Sequence, residues 1–76
     1  MMTEKQIYRR MNEAYESDYG YRDEDEWYGE DNSKIWRVYR PSIGYEIKLQ
    51  MVEEYKRVDI YEKVNGDWFS VGVYCW

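Results

Sequence analysis

Histidine is absent from this chain, and with it go the commonest general base and the commonest metal ligand. Ser17, Ser33, Ser42 and Ser70 therefore have nothing to activate them, which excludes a Ser-His-Asp triad. A single cysteine, Cys75, allows no intramolecular disulfide, so a reducing cytoplasm is the expected home. No apolar run approaches the ~20 residues needed to cross a bilayer. The opening MMTEKQIYRR also lacks the basic-then-apolar order of a signal peptide. Gly20 and Gly29 stand too far apart to build a phosphate loop. The expectation is a soluble cytoplasmic protein with no catalytic residues, no cofactor and no metal.

Aliphatic residues are scarce as well, twelve Ile, Leu and Val against fifteen aromatic rings, ten of them Tyr and four Trp. The 76 residues make one domain, 1–76, and a chain of this size buries only roughly 60% of its unfolded surface. Each ring takes ~150–250 Å² to bury, so a core this small cannot accept them all. Several Tyr and Trp are expected at the surface, where such residues are enriched at interface centres. The other account is that rings replace missing aliphatics in a small core.

Thr3 and Gln6 have the spacing of a capping box, each side chain serving the other's amide. Ile7, Met11, Ala14 and Tyr15 follow on one apolar stripe, and Gly20 is a suitable stop. An amphipathic helix is predicted over 3–18. From Lys34 the periodicity changes to two, and strands are predicted over 34–40, 45–52, 55–64 and 67–76. Asn65-Gly66 is a strong hairpin signal. Turns there, at Pro41–Gly44 and at Glu53-Glu54 give two consistent inward rows, Val38–Ile47–Ile60–Val71 and Trp36–Leu49–Val58–Val73. The fold class expected is α+β, one N-terminal amphipathic helix packed on a four-stranded antiparallel β-meander. The same parity turns Cys75 inward as a buried thiol. It puts Tyr61, Trp68, Tyr74 and Trp76 on the outer face, with Lys63 opposite Trp68, Arg57 opposite Tyr74 and Tyr55 opposite Trp76.

The remaining stretch, 19–33, is an acidic aromatic excursion between helix and sheet. Charge is concentrated around it. Residues 16–31 hold eight acids against the single base Arg22, a net of −7 in a chain whose total is −5. The eight are Glu16, Asp18, Asp23, Glu24, Asp25, Glu26, Glu30 and Asp31, interleaved with Tyr19, Tyr21, Trp27 and Tyr28. Paired-carboxylate catalysis needs two acids in different environments, and acids crowded in one segment do not offer that. An EF-hand loop starting at Asp23 fails, because Trp27 stands at position 5 and Tyr28 at position 6, where an oxygen ligand and a glycine are needed. Direct nucleic-acid binding is opposed by a pI near 4.7.

The inverse role fits better. Extended, Asp23 and Asp25 would stand about 6.6 Å apart with Glu24 and Glu26 on the other side, a ladder of anions like a nucleic-acid backbone. Rings among the acids can take the place of bases in a basic groove. A solvated loop kept for solubility would carry the acids without the rings. A small, acidic, tyrosine-rich chain with a segment like Asp18–Asp31 resembles the inhibitors that phages make against host defence nucleases, anti-CRISPR proteins and other DNA mimics among them. That resemblance is one of type. It implies a phage-encoded, non-enzymatic inhibitor working in the bacterial cytoplasm on a larger protein with a basic nucleic-acid-binding surface. The expected partner-binding residues are Asp18, Tyr19, Tyr21, Asp23, Glu24, Asp25, Glu26, Trp27, Tyr28, Glu30 and Asp31. The alternative is a small structural or assembly protein, a homodimer for example, that associates through Tyr61, Trp68, Tyr74 and Trp76 of the outer sheet face.

Overall fold

The computed structural model describes backbone and side chains at 1–21, 34–39 and 44–76, and the backbone alone at 31, 32 and 40. Helix α1 spans Glu4–Tyr19. Its start is the expected capping box. The Thr3 amide donates to Gln6 Oε1 at 2.9 Å, and the Gln6 amide donates to Thr3 Oγ1 at 3.2 Å. Its end is Gly20, whose φ of +79° favours a residue without Cβ, and whose amide donates to Glu16 O at 3.0 Å. Ile7, Met11, Ala14 and Tyr15 are buried, so the stripe faces the core as its spacing requires. Among the described residues no helix is long and apolar enough to cross a membrane.

Among the described residues five strands follow: β1 Asp31–Asn32, β2 Ile35–Arg40, β3 Tyr45–Val52, β4 Arg57–Val64 and β5 Asp67–Cys75. They form one antiparallel sheet in chain order. Strands β2–β5 are the four-stranded meander, and with the helix on one face the fold is α+β. The two-residue β1 adds a short pairing, Asp31 with Trp36 and Asn32 with Ile35, beside β2.

One expected register holds throughout, one slips by two residues, and one holds only as far as a bulge. Strand β2 meets β3 with Trp36 opposite Leu49 and Val38 opposite Ile47, as predicted. Between β3 and β4, however, Leu49 pairs with Ile60, Met51 with Val58 and Ile47 with Glu62. That is two residues away from the predicted Ile47–Ile60 and Leu49–Val58 pairs. The cause is the turn. Glu53–Tyr55 form a 3₁₀ turn and Lys56 takes a left-handed conformation, φ +49°, so four residues connect the strands where two were expected. Tyr55 therefore lies in the turn, and β4 begins at Arg57. A slip of two preserves the faces, and Met51 joins the core.

A slip of one residue does more. Asn65 and Gly66, at φ +52° and +85°, make the expected hairpin, and Lys63 pairs with Trp68. Between Ile60 and Tyr61 the register shifts, so that Tyr61 faces Ser70 but Ile60 faces Gly72. Val71 is the extra residue of a β-bulge. From there to the end of β5 each side chain points opposite to the expectation. Gly72 and Tyr74 turn to the helix side, opposite Ile60 and Val58, while Val73 and Cys75 turn outward opposite Asp59 and Arg57. Val71 and Val73, predicted in the core rows, are 47% and 54% exposed, and Cys75 is an exposed free thiol. Among the described residues the core consists of the four helix residues with Trp36, Val38, Ile47, Leu49, Met51, Val58 and Ile60.

Candidate partner-binding surface

The stretch that carries the charge starts on α1 and ends on β1, so helix and sheet edge hold its two ends. Asp18 is exposed at the last turn of α1, with its carboxylate over β5. A Cβ on Gly72 would stand 2.6 Å from Asp18 Oδ2, the far end of an exposed side chain that can rotate away, so the contact places the acid over the sheet without requiring glycine. Tyr21 is 88% exposed. Asp31 lies in β1 opposite Trp36. Asp23, Glu24, Asp25, Glu26, Trp27, Tyr28 and Glu30 lie outside the described residues.

Tyr19 requires a correction. Expected as a partner-binding ring, it packs against the core, with its ring 5.2 Å from that of Tyr15. Its hydroxyl donates to Glu62 Oε2 at 2.6 Å. Burial, and then the Glu62 carboxylate, push the phenol far above its ordinary value of 10.0, so it remains a donor. The register slip explains the contact, because Glu62 occupies the helix-side place opposite Ile47 where Ile60 was expected. Tyr19 anchors the stretch to the platform; it is not part of the presented surface.

The bulge also divides the outer-face aromatic set. Trp68 stays on the outer face with Lys48 4.8 Å, Lys63 5.6 Å and Arg37 5.8 Å from its ring. Tyr61 sits beside it under Lys48 at 4.7 Å. Each such contact contributes ~0.5–1 kcal/mol when exposed. Tyr74 and Trp76 instead close over the helix. The Tyr74 hydroxyl donates to Glu13 Oε2 at 2.6 Å, Arg9 and Arg10 pair with the same carboxylate at 3.1 Å, and Arg10 lies over Trp76 at 5.2 Å. The expected pairs Arg57–Tyr74 and Tyr55–Trp76 do not form, since Cys75 is opposite Arg57. Tyr61, Trp68, Tyr74 and Trp76 thus belong to two faces and do not make one interface.

The Glu13 clasp was not legible beforehand, because a bulge leaves no motif in WFSVGVYCW. It does make a measurable prediction. The Tyr74 hydroxyl first, and then Arg9 and Arg10, hold the Glu13 carboxyl below its ordinary 4.5. A depressed carboxyl pKa contributes stability that is present above the unfolded value and lost as pH falls through the folded one. Tyr74→Phe is therefore expected to be less stable than the parent at neutral pH, with the gap closing below about pH 4.5. Thermal unfolding across that range checks it; a gap independent of pH would assign the loss to packing alone.

A depression of about 180 Å³ is lined by Met2, Gln6, Arg9, Arg10 and Trp76, smaller than the ~300–1,000 Å³ of ligand pockets. Among the described residues no group of three or more Cys, Asp or Glu side chains is placed to hold a metal ion. Comparison of the chain with protein-family models, with curated proteins and with solved structures finds no match.

Proposed function

We propose that the protein is a non-enzymatic inhibitor whose acidic aromatic stretch, Asp18–Asp31, occupies the basic nucleic-acid-binding channel of a larger protein, a host defence nuclease such as a CRISPR effector. The observation that carries this reading is a density. A net charge of −7 and three large rings besides the anchoring Tyr19 fall within residues 16–31, while the rest of the chain sums to +2. Asp23, Glu24, Asp25 and Glu26 pair with arginines and lysines of the channel in place of phosphates, and Trp27 and Tyr28 take the place of bases. Tyr21 and Asp18 extend the surface toward the helix.

The platform supports the reading in two ways. Arg9, Arg10, Arg37 and Arg57, the arginines whose side chains are described, each pair with a carboxylate outside the stretch, namely Glu13, Glu46 or Asp59. The ends of the stretch are held as well, by the Tyr19–Glu62 hydrogen bond and by the pairing of Asp31 with Trp36. Ordering the ends before binding lowers the entropy that association costs.

The test is capture on the immobilised full chain from a bacterial lysate at low salt, with elution by free DNA and mass spectrometry of the eluate. Nucleic-acid-binding proteins released by DNA are the expected result. A captured set that DNA does not release, or that lacks basic nucleic-acid surfaces, contradicts the proposal.

A further inference from the structure

Strand β5 is nine residues long, and among the described residues its one strand neighbour is β4. At the opposite edge of the sheet, β1 lies alongside β2. Open edges of this length are normally blunted by charge, proline or a covering element. Residues 68–76 contain no charged residue and no proline. Phe69, Val71 and Val73 are instead 53%, 47% and 54% exposed.

Their placement identifies the kind of neighbour that would cover them. Phe69 pairs with Glu62 and is on the helix side; Val73 pairs with Asp59 and is on the outer side. A partner lying on one face would cover one of them and leave the other in water. A strand laid alongside the edge borders both faces, and about an axis at Val73 it reaches from Ser70 to Trp76, flanking Val71 and Val73 and leaving Phe69 beyond its end.

The main chain points the same way. The Trp76 amide donates to Lys56 O at 3.1 Å. In an antiparallel ladder alternate residues bond alternate neighbours, so Tyr74 and Gly72 also bond toward β4. The N–H and C=O of Val73 and Cys75 point to the open edge.

We infer that β5 is a homodimerisation edge, on which a second copy of this chain pairs antiparallel through its own β5 about a two-fold axis near Val73. The copy is the occupant because the edge is self-complementary: at the axis the N–H and C=O of Val73 meet the C=O and N–H of its mate, and no charge lies within the segment to oppose it. The acidic stretch ends on β1, at the far edge from β5, but it begins at Asp18, whose carboxylate lies over Gly72 beside the axis. Pairing through β5 therefore brings the two Asp18 carboxylates toward each other, a repulsion that salt screens. The bulge at Val71 limits the pairing to the segment around Val73.

This inference does not rest on the proposed inhibition, and salt separates them. Binding by the acidic stretch weakens as salt rises, whereas an apolar edge joining two chains of net charge −5 strengthens. Sedimentation equilibrium from low micromolar to millimolar protein is expected to move the mass from 9.5 kDa to twice that value. Amide exchange at Val73 and Cys75 is expected to slow over the same range. Val73→Pro removes an outward N–H without touching the β4–β5 ladder, a place where an edge strand accepts proline. Val73→Lys puts a charge on the axis. Both are expected to stay monomeric at every concentration with the circular dichroism of the parent. A parent chain that remains monomeric to millimolar, or a dimer that survives Val73→Lys with both amides still exchanging freely, overturns the inference.

Discussion

Replacing Asp23, Glu24, Asp25 and Glu26 together by lysine is expected to abolish binding to the nucleic-acid-channel partner. The change turns a stretch of net charge −7 into one of +1. If each carboxylate contributes about 1 kcal/mol through an ion pair in the channel, losing four costs about 4 kcal/mol, close to a thousandfold in Kd. Lysines facing a basic surface add repulsion, so a thousandfold is a floor. The amide variant, Asp→Asn and Glu→Gln at the same four positions, removes attraction without adding repulsion and is expected to fall between. Measured by titration calorimetry against the captured partner, an unchanged affinity in the lysine variant would place the binding surface elsewhere.

The second large effect is on the platform. Trp36→Ala is expected to leave most of the chain unfolded at room temperature. Trp36 is 1% exposed, lies opposite Leu49 and is covered by Tyr8 with ring centroids 5.2 Å apart. Truncating a buried tryptophan costs about 3–5 kcal/mol, and a domain this small has a total stability near the lower limit of about 5 kcal/mol. Trp68→Ala is the comparison, because it removes a ring of similar size from the outer face, where only cation–π contacts and partial packing are lost. A loss of about 1–2 kcal/mol is expected there. Chemical denaturation of the two variants decides it; equal losses would mean that the two faces of the sheet have been exchanged.

How much of this was legible in the sequence depended on whether a signal was local. The helix was, because Thr3, Gln6 and the Ile7–Met11–Ala14–Tyr15 stripe fix its start and its buried face within the element itself. The β2–β3 register and the Lys63–Trp68 end of the last hairpin were also legible, since short turns leave strands little freedom. Glu53–Lys56 gave no such guide. With no glycine or asparagine in it, nothing marked Lys56 as the left-handed residue, and the register moved by two. The bulge at Val71 was invisible for a different reason. It follows from what the far half of β5 gains by turning Tyr74 and Trp76 onto the helix, where Glu13 and Arg10 receive them. That one-residue shift moved Val73 and Cys75 outward, removed Tyr74 and Trp76 from the supposed outer interface and exposed the strand edge. For the site, the sequence provides the charge and the rings of 22–30, and the structure provides the anchors on either side, Tyr19 on Glu62 and Asp31 beside Trp36.

Competition gives the most direct test of the central claim. The captured nuclease is loaded with labelled nucleic acid, and fluorescence anisotropy follows its release as the full chain is added. If the acidic stretch occupies the channel, release goes to completion, weakens steeply as salt rises, and does not occur with the Asp23–Glu26 lysine variant. Stable co-binding of the protein and the nucleic acid on one nuclease, or equal release by the lysine variant, would show that the anions of residues 16–31 do not stand in for a nucleic-acid backbone.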